Sequence, residues 1–438
     1  MSASATAHTL QARTRVLIEK RGRGTSASGI RRAYLFHGAT DELLELPTTF
    51  VDHEFGAAAL HTQIAVLADL AHWWEWCSLR RARNASWTLP EMRPLVGAAV
   101  LTNPEIADYA SWCGFAAADL ARALHLQTTS SKIGSLPTGK SVDNKHLNRR
   151  IRTVSKYLQW AIRSMVSNGS MPSREDVLAC EVEARRIETA FNKHLKAQGK
   201  YAVPKSLNQA AARQLHSQLR SVDQADSACL ERDRLVLLLL LEGVRAGELL
   251  KLRTCDIDEA YKIEEDKTIA IVTVLRQPNS EEDTRLVEPA VKTLPGDLPI
   301  PKRLARQLIR YINTWRRDTL DATGCASETP YVFICHHGPQ AGMAISQRNL
   351  NRIVAKLKGV GALPASLAPH ILRHTHMTEV YETGASEGKS IQAIEETLLH
   401  RGRWSEKSSM PRHYTGRAIL KESARMTEER DRKLEQGF

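Results

Sequence analysis

The chain has 438 residues, of which 42% are hydrophobic, enough for buried cores in two domains and too many for global disorder. Its 61 Lys and Arg against 49 Asp and Glu give a formal net charge of +12. That points to a polyanionic partner, nucleic acid before an anionic membrane, because no long Lys/Arg run adjoins an apolar helix. Seven scattered cysteines without a CxxC pair argue against a disulfide framework or a zinc site and fit a reducing compartment.

Residues 1–10 lack the charge-flanked apolar core of a signal peptide, and the longest apolar run, residues 235–241, is too short to span a bilayer. A cytoplasmic protein is expected. Residues 1–53 read as a basic N-terminal tail or arm, because residues 20–29 are rich in Arg, Gly and Ser. Residues 54–200 read as a helical DNA-binding domain. Helical sequence runs over about 54–126, with clustered Trp73, Trp74 and Trp76 read as packing residues before base-stacking ones. Residues 127–140 are a polar connection punctuated by Gly and Pro. Over about 144–165, Leu147, Ile151, Val154, Leu158 and Ile162 recur at helical spacing, while Arg149, Arg150, Arg152, Lys156 and Arg163 occupy the other faces. With this global charge, that basic surface is expected to lie along phosphates. A helix over 174–198 leads to the domain boundary, where Lys200 and Lys205 are further DNA-contacting candidates.

Residues 201–420 alternate differently. A buried helix over 231–242 is ended by Gly243, and residues 246–252 start another. Residues 268–275 are rich in β-branched side chains and read as a strand, with further strands over 285–291 and 298–300. Residues 302–317 read as a helix and 331–334 as a short strand, followed by His336 and His337 exposed in a loop. Ser346 caps a helix whose face is Leu350, Ile353, Val354 and Leu357. Helices over about 369–382 and 390–399 complete the domain, and residues 421–438 form a polar helical tail. The expected class is α+β, mainly helical, with one small antiparallel sheet in the second domain.

Four stretches in this half carry a resemblance. Residues 243–252 read GVRAGELLKL, with Arg245 and Glu248; residues 288–293 read EPAVKT, with Lys292, followed by LPIP at 298–301; residues 370–375 read HILRHT; and Tyr414 precedes Thr415. In this order they resemble the two arginine boxes, lysine-bearing β-hairpin and nucleophile segment of the tyrosine recombinase (phage integrase) family. The resemblance covers about residues 205–420. It implies a catalytic domain over 201–420 and, with the helical domain, a C-shaped clamp on DNA.

The resemblance also implies roles. Arg245 and Arg373 would clamp the non-bridging oxygens of a phosphodiester, because a guanidinium stays charged and presents a planar fork of donors. Tyr414 would be the nucleophile, needing an acceptor for a proton whose unperturbed pKa is about 10. His370 would be that acceptor, and Lys292 would protonate the leaving 5′-oxygen, with Lys267 as runner-up. Glu248, one turn after Arg245, is read as a structural partner that orients an arginine. The product, a 3′-phosphotyrosine, keeps the bond energy, so neither ATP nor a cofactor is implied. His370 and His374 are spaced as metal ligands can be, but no HExxH and no third ligand accompany them, and no metal is expected.

One part of the family pattern is missing. Gly-His usually stands nine residues before the tyrosine, where this chain has Ser405. Trp404, ten residues before Tyr414, is the preferred substitute as an indole N–H donor to the phosphate, with His400, fourteen residues before, the alternative. Arg412 and His413 are read as backbone-phosphate contacts. The implied partners are double-stranded DNA, a homotetramer on two DNA sites with the 421–438 tail docking in trans, and accessory recombination proteins, at the nucleoid and without a membrane. Two other functions fit the same residues: a type IB topoisomerase-like activity, and a non-catalytic DNA-binding accessory protein or repressor.

Overall fold

The structure, a computed structural model, describes residues 15–20, 31–38, 40–93, 99–116, 119–120, 141–167, 173–197, 206–257, 269–275, 280, 282–324 and 329–435. The chain divides into two compact units, Met1–Lys200 and Tyr201–Phe438. The class is α+β and mainly helical, and the described residues include a two-stranded antiparallel sheet in each unit.

In the first unit, strands β1 (Arg15–Lys20) and β2 (Arg31–Phe36) pair with Arg15 opposite Phe36 and Lys20 opposite Arg31. Alternate residues of β2, Ala33 and Leu35, are buried. Helix α1 (Glu45–Phe55) buries Phe50 and Val51. The expected tail over 1–53 is therefore a hairpin and a helix for much of its length: residues 31–36 have the period-two alternation of a half-buried strand. Residues 21–30, most of the Gly- and Ser-rich stretch, lie outside the described residues.

The expected long helical run resolves into α2 (Leu60–Arg83), a 3₁₀ turn (Pro90–Met92) and α3 (Asn103–Trp112). Thr102 and Glu105 form a capping box that starts α3, with the Glu105 carboxylate accepting from Thr102 N at 2.8 Å. Trp73 and Trp76 are fully buried and stack at 4.9 Å. Their indole N–H groups donate to Glu91 and Asp108, which is how so polar a ring is kept in a core.

Helices α4 (Asn144–Ser167) and α5 (Arg174–Asn192) complete the unit. Leu147, Ile151, Val154, Leu158 and Ile162 are buried in one core with Cys180, Ile187 and Phe191. The basic surface expected on α4 is largely used internally. Arg149 grips buried Asp69 with bonds of 2.9 and 2.8 Å, because a carboxylate out of water needs a cation beside it. Arg150 is buried and donates to Cys113 O at 3.0 Å, and Arg163 pairs with Glu181 at 2.8 Å. Arg152 and Lys156 are exposed. Lys200 and Lys205 lie outside the described residues.

The second unit is built around α7 (Ala228–Leu241), whose residues 235–241 are all buried. Helix α6 (Gln209–Ser221), absent from the sequence reading, packs on it through Ala211, Ala212 and Leu215. Strands β3 (Ile269–Val274) and β4 (Gly296–Pro301) pair antiparallel with Val272 opposite Leu298. They turn Ala270, Val272, Leu298 and Ile300 into the same core as α7. The strand expected over 285–291 is irregular chain. Arg285 is buried there, donating to Leu250 O and Ile345 O at 2.9 Å and pairing with Asp283, so side chains rather than a ladder hold the segment.

Helix α9 (Lys302–Tyr311) continues through a π turn (Ile312–Arg316) into α10 (Arg317–Thr323). The strand expected over 331–334 makes single bridges only, Tyr331 with Arg253 and Ile334 with Ala344. His336, expected to be exposed, is buried between Tyr311 Oη at 2.9 Å and Thr319 Oγ1 at 2.6 Å, while His337 is exposed. Helices α11 (Gln347–Ala355, capped by Ser346), α12 (Pro369–Ser386) and α13 (Ile391–Gly402) lead to α14 (Met410–Glu435). The tail expected over 421–438 is thus no separate element: it continues the helix that carries Tyr414. Among the described residues no helix is long and apolar enough to cross a membrane.

Candidate active site

Helix α7 ends at Gly243, which has φ +85, and a Cβ there would stand 2.6 Å from His376. That left-handed turn, which glycine adopts without strain, delivers Arg245 to the N-terminus of α8 (Ala246–Leu250). Glu248, in the first turn, reaches back to accept from Arg245 N at 2.8 Å. A Cβ at Gly247 would lie 2.1 Å from Ala290 O, so the segment before β4 packs against this helix only because glycine is there. Lys251, paired with Glu288, fastens the same segment.

Glu248 is the hub of the site and is 2% exposed. Its carboxylate accepts from Thr293 Oγ1 and from Arg403, and Arg373 Nη1 lies 3.9 Å away. Burial alone would raise its pKa; Arg403 and Arg373, with the Thr293 hydroxyl and the Arg245 N–H, together hold it below the ordinary glutamate value. The arginine that Glu248 bonds most directly is thus Arg403, which was not among the residues expected at the site. Arg403 sits in the left-handed region at φ +49, uncommon for a side chain of its size. The Glu248 contact and a bond from Leu294 N to Arg403 O at 3.0 Å hold it there.

Arg373, in the second turn of α12, is buried and donates to Gly243 O and, at 2.9 Å, to Gly402 O. It thereby ties the first arginine box to the end of α13. Burial brings its pKa down to about 9, with Arg245 and Arg403 adding to the effect and Glu248 opposing it, so it is still a cation at neutral pH. A Cβ at Gly402 would meet the Trp404 ring at 2.3 Å. Glycine at that position lets the indole fold back toward Tyr414. The Trp404 and Tyr414 rings stack at 6.0 Å and 20°, and the guanidinium carbons of Arg245 and Arg373 lie 5.8 and 5.5 Å from the indole centroid. The indole N–H is buried and has no hydrogen-bond partner among the described residues.

Tyr414 is 4% exposed and packs with Met377, Tyr381, Ile394 and Leu398. Burial pushes its phenol up to about 12, against the pull of Arg373 and Arg245. Its hydroxyl is 2.5 Å from His374 Nδ1. His374 is pushed down to about 4, by burial first and then by His370, Arg373, His413 and Arg245, and is neutral at pH 7. His370 is exposed at the start of α12, its ring 5.9 Å from that of His374, edge to face.

The structure thus brings together Arg245, Glu248, Arg373, Trp404 and Tyr414 from the sequence-derived set and adds His374, Arg403 and Thr293. Lys292 is exposed on irregular chain before β4, not on a strand. Its neighbours Thr293 and Leu294 are bonded to Glu248 and Arg403, which places Lys292 at the rim of the hub. His400 is exposed in the last turn of α13. Lys267 lies outside the described residues. Among the described residues, no group of three or more His, Cys, Asp or Glu is placed to hold a metal ion.

The arrangement offers buried cations, N–H donors of Trp404 and Arg403 without a partner among the described residues, and a phenol hydrogen-bonded to a neutral imidazole. No family model matches the sequence, and no curated protein does. Among solved structures, the chain is similar to the XerH site-specific recombinase bound to palindromic difH substrate in a post-cleavage complex. That similarity has 12% identity over 81% of this chain and 95% of the other, with a TM-score of 0.36. It is also similar to the XerA recombinase, with 16% identity over 85% of this chain and 98% of the other and a TM-score of 0.28.

Proposed function

We propose that this chain is a tyrosine recombinase, a DNA strand transferase that breaks a phosphodiester with Tyr414 and rejoins strands through a 3′-phosphotyrosine. The observation that carries the reading is the convergence on one hydroxyl. Tyr414 Oη has a hydrogen-bonding imidazole at 2.5 Å, a stacked indole, and two arginines against that indole. These residues stand in the same chain order as the family's motifs.

A phosphodiester under attack gathers negative charge on its non-bridging oxygens. Arg245 and Arg373 supply fixed positive charge for them beside the buried Tyr414, and charge acts more strongly away from bulk solvent. The free indole N–H of Trp404 is a further donor, left unsatisfied until an acceptor arrives. The leaving 5′-oxygen takes a proton from Lys292, which is exposed and directly precedes Thr293 and Leu294, the residues bonded to Glu248 and Arg403. The bond energy stays in the tyrosyl ester, and reversal by a 5′-hydroxyl completes strand exchange. Duplex DNA as partner agrees with the net charge of +12.

The test is a covalent adduct that survives denaturant, captured in EDTA from a pool of nicked duplexes with randomised arms. The wild-type chain gives the adduct. Tyr414→Phe gives none and keeps its DNA affinity within about twofold, because affinity is spread over many phosphate contacts. An adduct with the Phe variant, or none with the wild type, overturns the proposal.

A further inference from the structure

Two histidines one helical turn apart on α12 compete to be the group that takes the nucleophile's proton. His370 is exposed, and its ring meets the edge of His374 rather than Tyr414. His374 Nδ1 stands 2.5 Å from Tyr414 Oη, the two rings 5.7 Å apart. We infer that His374, not His370, is the general base for Tyr414. The inference rests on the proposal that Tyr414 is the nucleophile.

Burial holds the phenol protonated, up to about 12, and holds the imidazole neutral, down to about 4, so the phenol has a proton to give and the imidazole has room for one. A base must accept from the phenol, so the inference requires the tautomer with the imidazole's own proton on Nε2 and a free lone pair on Nδ1. The groups bearing on this imidazole are His370 and Arg373 on its own helix, Arg245 just before α8, and His413 on α14. All of them disfavour an imidazolium in the free protein, so no proton moves before substrate arrives. A bound phosphodiester brings negative charge among those cations and raises the basicity of Nδ1.

The step then balances. Oη forms a bond to phosphorus while its proton passes to His374 Nδ1; the bond from phosphorus to O5′ breaks, and O5′ leaves with a proton from Lys292. On religation the 5′-hydroxyl returns its proton to Lys292, the phosphotyrosine bond breaks, and His374 hands the proton back to Tyr414. His370, at the exposed end of the pair, is left with a supporting part through its ring contact.

The test compares His374→Ala, His374→Asn and His370→Ala in the full chain, in single-turnover adduct formation on a duplex recovered from the randomised pool. Loss of a general base costs roughly 10²–10⁴-fold. Both His374 variants are expected to fall at least about a hundredfold at pH 7.5 and to climb as pH is raised to 10, by up to about tenfold per unit, because the ionised fraction of a phenol held up to about 12 rises across that range. Added imidazole partly rescues the alanine variant. A 5′-bridging phosphorothiolate, whose sulfur leaves without protonation, rescues Lys292→Ala but neither His374 variant. Independently of DNA, histidine ¹⁵N spectra place the His374 proton on Nε2, with a Nδ1 resonance that moves in Tyr414→Phe. If His374→Ala cleaves within about threefold of wild type, if His370→Ala is the slower variant, or if the phosphorothiolate rescues His374→Ala, the inference is wrong. A wild-type chain that forms no adduct overturns the recombinase reading and this base assignment with it; a wild-type adduct together with an active His374→Ala overturns only the assignment.

Discussion

Phenylalanine at Trp404 deletes one N–H group and keeps an aromatic face against Tyr414. In the free protein that N–H is buried and unpartnered, a burden of roughly 1–3 kcal/mol. Losing the pyrrole part of the ring removes apolar burial worth about 1 kcal/mol. The two changes oppose each other, so the stability of Trp404→Phe should lie within about 1–2 kcal/mol of wild type in a urea melt. The rate should behave differently. If the N–H is satisfied only by a phosphate oxygen as charge develops, its loss costs about 2–4 kcal/mol of transition-state stabilisation. At about 1.4 kcal/mol per tenfold, cleavage slows by roughly 30- to 1000-fold. Single-turnover adduct formation on a denaturing gel reads this directly. Trp404→His, which restores a ring N–H, should retain part of the rate, and His400→Ala, exposed on α13, should lose less than about threefold. A Phe variant that cleaves within about fivefold of wild type removes Trp404 from the reacting phosphate. A His400→Ala variant slower than Trp404→Phe puts the wrong residue in the site.

Two further outcomes follow from buried titratable groups. Glu248→Gln removes the buried charge that faces Arg403 and Arg373, and breaking a buried pair costs about 3–5 kcal/mol. Calorimetry of the full chain should show the second unit melting about 6–20 °C lower, at roughly 2–4 °C per kcal/mol for a body of this size, and a shift under about 2 °C would contradict the hub. The second outcome concerns pH. His336, His374 and His376 are pushed down to about 4, 4 and 3, in each case by burial first, from an ordinary value of 6.5. Because the folded values lie below the unfolded one, the unfolded chain takes up protons first as pH falls. Their contribution is complete above about pH 6.5 and is lost from there toward pH 3–4, at up to about 1.4 kcal/mol per pH unit for each group. Down to pH 4.5 the three contribute about equally, so His376→Asn should remove about a third of their share of the acid limb of urea stability measured from pH 7 to 4.5; an unchanged limb would show that other groups set it.

What the sequence made legible was local. The left-handed turn at Gly243, the spacing from Arg245 to Glu248, and the period of the apolar residues on α4 are all set by neighbours within a turn or two. What it hid depended on partners far along the chain. Arg149 read as a phosphate contact because Asp69, which it grips, lies 80 positions earlier. Arg403 drew no notice because the carboxylate it serves lies 155 positions earlier. His370 and His374 were both visible at helical spacing, but which one meets Tyr414 depends on how α12 is rotated toward α14. Residues 285–291 had the composition of a strand, yet Arg285 found its acceptors in carbonyls from two other segments.

Glu248 also has a consequence for a chain still being made. It joins Thr293, 45 positions on, and Arg403, 155 positions on, and contacts so distant in sequence close late in folding. At about 5–20 residues per second, roughly 8–30 s separate the synthesis of Glu248 from that of Arg403, and Tyr414 comes later still. Through that interval a ribosome-borne chain carries Arg245 without Tyr414 beside it. If the proposed function holds, a polypeptide not yet made as far as Tyr414 can attract a phosphate but lacks the hydroxyl proposed to cut, so strand breakage waits until that helix has been synthesised.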